Sequence, residues 1–345
     1  MDKRLRLLFA VLTVGILGLA ACGSGSDTGN DGASGSSNET INIVAYSVPE
    51  AANKAAADVW NETADGKGVK FKTSYGASGD QSRAVEAGLK ADYVHFSVPS
   101  DITKLVDAGL IADTWDDGPT KGIVSRSVVV FAVREGNPKN IKSWADLVKP
   151  GVGIVSPNPA SSGAARWNAL AAYGQVIKSG GSEADAAAYL DEFYANVVSL
   201  PSSGRDATTA FLGGTGDVLM TYENEAILAR QKGEKFDYVI PDISLLIENP
   251  AAVLKEATPK AKAWLDFLLS TEGQAVFAQK GFRPVIDGVD PGEVEGALDP
   301  ADPFPTVETL LTIASDFGSW SALSDKFFDE DNGIVTNAIE KSGKG

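Results

Sequence analysis

Cysteine and histidine are almost absent from this chain: Cys22 and His95 are the only residues of their kinds among 345. A single cysteine excludes an internal disulfide, so core packing must stabilise the fold. With one residue of each type, the sequence does not favour a zinc cluster, a Cys-His pair or a Ser-His-Asp triad. We therefore expect no metal and no cofactor, and we expect His95 to be a packed or rim residue of a strand.

Basic residues are also few, with 30 Lys and Arg against 46 Asp and Glu, which gives a formal net charge of -16. This balance argues against nucleic acid as a partner and against polybasic docking on a membrane. It does not exclude an anionic ligand. A buried site feels nearby dipoles far more than surface charges screened beyond ~10 Å.

The apolar run near the N-terminus, residues 7–19, is shorter than the ~20 residues that a membrane-spanning helix needs. It follows a basic start and ends in Leu-Ala-Ala-Cys at Cys22, which resembles the cleavage site of a bacterial lipoprotein. Residues 1–22 are therefore predicted to be a signal peptide with Cys22 acylated, and residues 23–40, rich in Gly and Ser, a flexible tether. We expect an exported protein, anchored in the lipid bilayer on the outer face of the cytoplasmic membrane.

The rest of the chain alternates short β runs with amphipathic helices, which predicts an α/β fold of two lobes joined by crossing strands. The crossing strands are predicted near 127–133 and near 237–247. The first of these runs is so apolar that it should be buried on both faces. The predicted organisation is a first lobe at 41–125 plus about 241–320, a second lobe at 126–240, and C-terminal helices at 321–345.

Three stretches of small residues, 76–81, 158–168 and 202–209, stand out within this pattern. Small residues at a helix start leave backbone N–H groups accessible, and the helix dipole adds partial positive charge. An anion can bind there without Lys or Arg. Taken singly, each stretch is equally compatible with a capped helix start or a turn. Together, at the ends of parallel strands, they predict a receptor for an oxyanion.

Five blocks of sequence, in order, resemble the sulfate-binding proteins of bacterial ABC importers, which have the type II periplasmic-binding-protein fold. The blocks are 75–85, 91–94, 158–168, 204–209 and 217–226. This resemblance implies a mixed, mainly parallel sheet flanked by helices in each lobe, with the ligand in a cleft between the lobes. It also implies an uncharged site of backbone N–H groups, serine hydroxyls and one indole N–H.

The resemblance assigns ligand contacts residue by residue. The predicted contacts are Ser47, Ser78, Ser162, Gly163, Ala164, Gly204 and Tyr222. Two of them depart from the family pattern, because Ser47 lies in Tyr-Ser-Val-Pro instead of Tyr-Asp-Pro, and Tyr222 replaces a Trp. Both can still donate a hydrogen bond. A plain turn hydroxyl at Ser47 and a core aromatic at Tyr222 remain alternatives.

Charged residues near these stretches have a different predicted role. Arg83, Arg166 and Arg205 are expected behind the site, where they order loops or hold carboxylates, because a charged clamp would slow release of an anion. Asp80 is predicted to be the carboxylate nearest to the turn of the first stretch, and we expect it to point out along its helix. If it faced the ligand instead, it would favour protonated phosphate over sulfate.

The resemblance predicts a monomeric, non-enzymatic protein that captures sulfate. It would deliver the anion to an ABC permease, whose transmembrane subunits work with an ATPase subunit. Alternatives are thiosulfate, molybdate, tungstate or phosphate as ligand, or a surface adhesin or sensor without transport. A hydrolase that uses Ser162 is disfavoured because no Lys motif accompanies this serine.

Overall fold

The computed structural model describes residues 39–344. The predicted signal peptide 1–22, its acylation site Cys22 and nearly all of the predicted tether lie outside the described residues. Within the described part, no helix is both long and apolar enough to cross a membrane.

The strands of the described residues are β1 (Thr40–Tyr46), β2 (Lys70–Gly76), β3 (Tyr93–His95), β4 (Ile123–Arg134), β5 (Ile154–Val155), β6 (Val197–Ser199), β7 (Val218–Tyr222), β8 (Phe236–Val239), β9 (Ile243–Val253) and β10 (Thr309–Leu311). The helices are α1 (Glu50–Trp60), α2 (Ser78–Glu86), α3 (Pro99–Asp107), α4 (Trp144–Leu147), α5 (Gly163–Lys178), α6 (Glu183–Asn196), α7 (Gly204–Leu212), α8 (Glu223–Gln231), α9 (Pro259–Leu268), α10 (Thr271–Ala278), α11 (Trp320–Phe328) and α12 (Ile334–Lys341), and Ile313–Phe317 forms a π-helical turn.

The first lobe is built on β1, which pairs in parallel with β2 on one side and β3 on the other. The C-terminal end of β9 extends this sheet by pairing antiparallel with β3. Helices cover both faces, so the central strands β1 and β3 are buried in most positions. On one face Trp264 packs against Trp60 and Phe71, with ring centroids 5.5 and 5.1 Å apart.

The second lobe is built on β4, which pairs antiparallel with β7 and with β8. β7 continues in parallel to β5, and β5 to β6. From Val128 to Val133 every side chain of β4 is at most 1% exposed, which confirms the predicted burial on both faces. Each lobe is therefore a mixed sheet between helices, as predicted.

Two long strands connect the lobes. β4 and β9 pair antiparallel along 123–128 and 246–250, and their other ends lie in the two different sheets. The prediction of the return strand at 237–247 was only partly correct, because residues 243–247 lie in β9 but Phe236–Val239 is β8, inside the second sheet. β9 runs on to Val253 and includes Pro250, a residue that cannot donate to a sheet ladder. In the structure Pro250 lies opposite Ile123, where the ladder is irregular.

The remaining chain packs onto both lobes. α9 and α10 lie against α1, and α12 lies against α6. The many Asp, Gly and Pro residues of 284–305 predict a long surface connection. This is only partly correct, because Val294 and Ala297 are buried in a core cluster with Ile227 and Tyr238. The lobe limits at 125, 240 and 320 stay predictions.

Candidate functional site

Three helices begin at the boundary between the lobes: α2 at Ser78 in the first lobe, and α5 at Gly163 and α7 at Gly204 in the second. The helix starts and the loops before them are hydrogen-bonded to one another. The amide of Gly79 donates to the carbonyl of Ser161 at 3.0 Å, and the hydroxyl of Ser161 donates to the carbonyl of Ser202 at 2.8 Å. The three small-residue stretches of the sequence therefore meet in space.

A narrow pocket, with no room for a water molecule in this closed arrangement of the lobes, lies among these helix starts and is called the cavity below. Its lining consists of Tyr46, Ser47, Gly76, Ala77, Ser78, Ser97, Ser162, Gly163, Ala164, Ser203 and Gly204. No carboxylate, ammonium, guanidinium or imidazole is among these described lining residues. Backbone amides at the first turn of a helix have no intrahelical partner, and three helix dipoles add positive potential. The site thus offers neutral donors and a field that attracts an anion.

Glycine at the helix starts permits the close approach of the lobes. A Cβ on Gly163 would lie 2.5 Å from both Cβ and Oγ of Ser97, which is closer than real side chains approach. A Cβ on Gly204 would lie 3.3 Å from Ala164 and 3.3 Å from Val48. Of the two positions, 163 therefore has the stricter requirement for glycine.

Two of the predicted serines, Ser47 and Ser162, line the cavity. Ser162 precedes α5 but makes no capping hydrogen bond to the described first turn, and it is 3% exposed. The amide of Ser47 donates to the carbonyl of Gly76 at 2.9 Å, so only its hydroxyl remains for a ligand. Ser203 differs, because its hydroxyl caps α7 by accepting from the amide of Asp206 and donating to its carboxylate.

The hydroxyl of Ser78 is hydrogen-bonded within the protein. Its Oγ donates to Oδ2 of Asp101 at 2.6 Å and accepts from the amide of Ser97 at 2.8 Å. Asp101 is buried in α3, and this burial raises the pKa of its carboxyl above the usual 3.8, although the Ser78 hydrogen bond and nearby cations oppose the shift.

Asp101 corrects one sequence prediction. Asp80 was taken as the nearest carboxylate, but Asp101, 23 residues away from Ser78 in sequence, is the carboxylate in contact with this turn. Asp80 itself pairs with Arg83 at the surface, with half of its side chain exposed, so the expectation that it points outward is confirmed. The fold brings α3 beside α2, and proximity along the chain could not show this.

Tyr222 does not line the cavity. It ends β7, it is 1% exposed, and its hydroxyl lies 2.7 Å from Oγ of Ser97, which does line the cavity. Ser97 was not among the contacts predicted from the sequence. The only available signal was its position directly after the predicted strand that ends near residue 96, at an edge where open α/β sheets bind ligands.

The three arginines also lie outside the cavity lining. Arg205 forms a 2.7 Å ion pair with the buried Glu225 and donates to the carbonyl of Val48 at 3.1 Å. Nε of Arg166 donates to the carbonyl of Pro159 at 3.1 Å. The predicted role of these residues, in supporting the site without touching the ligand, stays a prediction.

His95 is a packed residue, as expected. It is fully buried in β3, its Nε2 lies 3.1 Å from Oγ of Ser125, and burial lowers its pKa to about 3. Among residues 39–344, no three His, Cys, Asp or Glu side chains are grouped as metal ligands.

Two α/β lobes, two connecting strands and a small cavity of neutral donors at the lobe boundary define a solute-binding protein of the two-lobed class. The chain belongs to the family of bacterial extracellular solute-binding proteins, whose family model matches residues 41–283.

Individual relatives agree with this assignment. The chain is 43% identical over 333 residues to a sulfate-binding protein of Synechococcus elongatus, with 93% of this chain and 92% of the relative covered. It is 37% identical over 274 residues to a thiosulfate-binding protein of Pseudomonas aeruginosa, with coverage of 76% and 80%. The solved structure of the sulfate-binding protein SubI from Mycobacterium tuberculosis superimposes with a TM-score of 0.79 at 42% identity, covering 84% of this chain and all of that one. All three relatives are named as binding proteins.

Proposed function

We propose that this protein binds sulfate in the cavity between its lobes and delivers it to an ABC permease for import. The observation that carries the proposal is the lining of the cavity, in which neutral donors from three helix starts meet without a carboxylate. Similarity to proteins named as sulfate-binding supports the same ligand.

The chemistry of the lining favours sulfate over phosphate. Sulfate near neutral pH is a dianion without a proton, so each of its oxygens accepts hydrogen bonds only. Hydrogen bonds to a charged group contribute roughly 1.5–3 kcal/mol each, and several together can offset dehydration of the ion. Phosphate carries a proton that needs an acceptor. A cavity without a carboxylate in its lining leaves that proton unpaired.

The wider assignment is part of the same proposal. The protein is exported, held at the membrane by lipid on Cys22, monomeric and without enzymatic activity, and its partners are the transmembrane and ATPase subunits of an importer. The family description as extracellular supports export. Metabolic labelling with a radioactive fatty acid tests the lipid anchor, with Cys22→Ser as the variant that should lose the label.

Calorimetric titration of the mature protein, stripped of bound ligand, with sulfate and phosphate at the same salt concentration tests the ligand. We expect sulfate to bind at least ~100-fold more tightly, the order of discrimination that an unpaired polar group can produce. Ser162→Asp should abolish sulfate binding, because it places a carboxylate in the lining.

Ser182→Asp is the matched control, since Ser182 caps α6 outside the cavity lining and Asp is an equally good cap. Equal binding of both anions, or equal loss in both variants, would contradict the proposal.

Thiosulfate is the second candidate, because a thiosulfate-binding relative is 37% identical to this chain. A sulfur atom replaces one oxygen of this anion and accepts hydrogen bonds weakly. Displacement of sulfate by thiosulfate in a competition titration distinguishes the two ligands. Tighter binding of thiosulfate would reassign the physiological ligand without changing the site.

A further inference from the structure

Ser97 is held in place from three sides. Its amide donates to Oγ of Ser78 at 2.8 Å, and its carbonyl accepts from Nε1 of Trp167 at 2.8 Å and from Nδ2 of Asn249 at 2.9 Å. These partners lie on α2, on α5 of the opposite lobe, and on the connecting strand β9. The main chain of Ser97 is therefore fixed relative to both lobes. None of these three hydrogen bonds uses its side chain.

The side chain of Ser97 lies between the cavity and Tyr222. Ser97 is a lining residue of the cavity, and its Oγ lies 2.7 Å from the Tyr222 hydroxyl. Burial raises the pKa of Tyr222 well above its usual 10, so its hydroxyl keeps its proton at any physiological pH. The hydroxyls of Ser97 and Tyr222 thus have two protons in total, and the hydrogen bond between the two oxygens uses one of these protons.

We propose that Ser97 donates its hydroxyl proton to the bound anion, and that Tyr222 orients this hydroxyl by donating to its oxygen. The inference rests on the proposed function, since it assigns a further donor to the same site. When Tyr222 donates to Ser97, the remaining proton belongs to Ser97 and can point into the cavity. The reverse arrangement would present only a lone pair there, which a proton-free anion repels.

Ser78 shows why this donor matters. The Ser78 hydroxyl proton is directed to Asp101, and Tyr222 itself does not reach the cavity lining. Ser97 therefore takes the place of two side-chain donors that the sequence alone assigned to Ser78 and Tyr222. In this interpretation Ser97 contacts the ligand, and Tyr222 is a positioning residue that acts through Ser97.

Sulfate titrations of the mature wild-type protein, Ser97→Ala, Tyr222→Phe and the double variant test the inference. We expect Ser97→Ala to weaken binding about 10- to 100-fold, as for a lost hydrogen bond to a charge. Tyr222→Phe should weaken it about 2- to 10-fold, as for a lost hydrogen bond between neutral groups. Tyr222→Phe should cause no further loss when Ser97 is already Ala, whereas a merely structural role of Tyr222 would cost the same in both backgrounds.

Ser244→Ala is the matched control. Ser244 is fully buried and donates to the carbonyl of Val129 at 2.7 Å, but it does not line the cavity. It should lower thermal stability and leave sulfate affinity unchanged. Ser97→Cys, with a side chain of similar shape but only a weak S–H donor, provides a second variant if Ser97→Ala does not fold.

The outcomes separate this inference from the proposed function. A wild-type protein that does not bind sulfate overturns both. A wild-type protein that binds sulfate, together with a folded Ser97→Ala or Ser97→Cys of unchanged affinity, overturns only the role of Ser97. A Tyr222→Phe effect that persists in full beside Ser97→Ala overturns the positioning role of Tyr222.

Discussion

The backbone amide of Gly79 donates a 3.0 Å hydrogen bond to the carbonyl of Ser161, and so joins the first lobe to the second at the cavity. Arg205 makes a second contact of this kind, from α7 to the carbonyl of Val48 in the first lobe. The lobes are therefore in direct contact around the cavity. Ligand entry and release require these contacts to open, and a ligand that touches both lobes favours the closed arrangement.

Gly163→Ala should prevent this closure. The new Cβ would lie 2.5 Å from Ser97, and a packing conflict of this kind typically costs 1–3 kcal/mol, or about 5- to 150-fold in affinity. We expect weaker sulfate binding with little change in the unfolding temperature of the ligand-free protein, since the lobes can separate. Calorimetry and small-angle scattering with and without sulfate measure both effects. Gly118→Ala is the control, because no atom lies within 4 Å of its added Cβ, and equal affinities of the two variants would contradict the prediction.

Asp101 should make sulfate binding depend on pH. Its carboxyl pKa is raised above 3.8 by burial, against the opposing effects of Ser78, Arg166, Lys104 and Arg83. A charged carboxylate behind Ser78 repels a bound dianion, so affinity should increase as the pH falls toward this pKa. The increase cannot exceed about tenfold per pH unit for one proton.

Asp101→Asn separates this effect from other titrations. We expect it to bind sulfate at neutral pH at least as tightly as the wild type, with a flatter pH profile in calorimetric titrations. Asp80→Asn serves as the control, since Asp80 is half exposed and paired with Arg83. The prediction is refuted if Asp101→Asn and the wild type show the same pH profile.

Arg205→Met should destabilise the fold. It leaves the Glu225 carboxylate, 2% exposed, without its 2.7 Å ion-pair partner, and an uncompensated buried charge typically costs 3–5 kcal/mol. The double variant Arg205→Met/Glu225→Gln should recover much of this loss. Urea unfolding of the ligand-free proteins gives the free energies. Lys262→Met, which breaks the exposed ion pair with Asp266, should change stability by less than ~1 kcal/mol, and a similar loss in both single variants would argue against the prediction.

His95 should make the folded state less stable in mild acid. Its pKa is lowered by burial from 6.5 to about 3, so between these values the unfolded chain binds a proton that the folded chain does not. Stability from this group is present above pH 6.5 and is lost as the pH falls toward 3, by up to about 1.4 kcal/mol per unit. The difference in unfolding free energy between the wild type and His95→Gln should therefore shrink with falling pH in urea titrations. A constant difference would show that His95 does not titrate in this way.

Much of the architecture could be predicted from local pattern. Alternation of β runs and helices indicated two α/β lobes, and the apolar run inside β4 indicated burial on both faces. The three small-residue stretches were also recognisable, because helix starts without bulky side chains are a local property. The return strand was predicted several residues too early, since the choice of connecting strand depends on distant pairing partners, and β9 continues through Pro250 at an irregular point of the ladder.

The identity of the groups that contact the ligand depended on neighbours far apart in the chain. Ser78 meets Asp101 across 23 residues, and Ser97 meets Tyr222 across 125. A serine hydroxyl has one proton, and which oxygen receives it depends on the packing of α2 against α3 and of one lobe against the other. Residue order can place a hydroxyl near a helix start, but only the folded chain determines where its proton points.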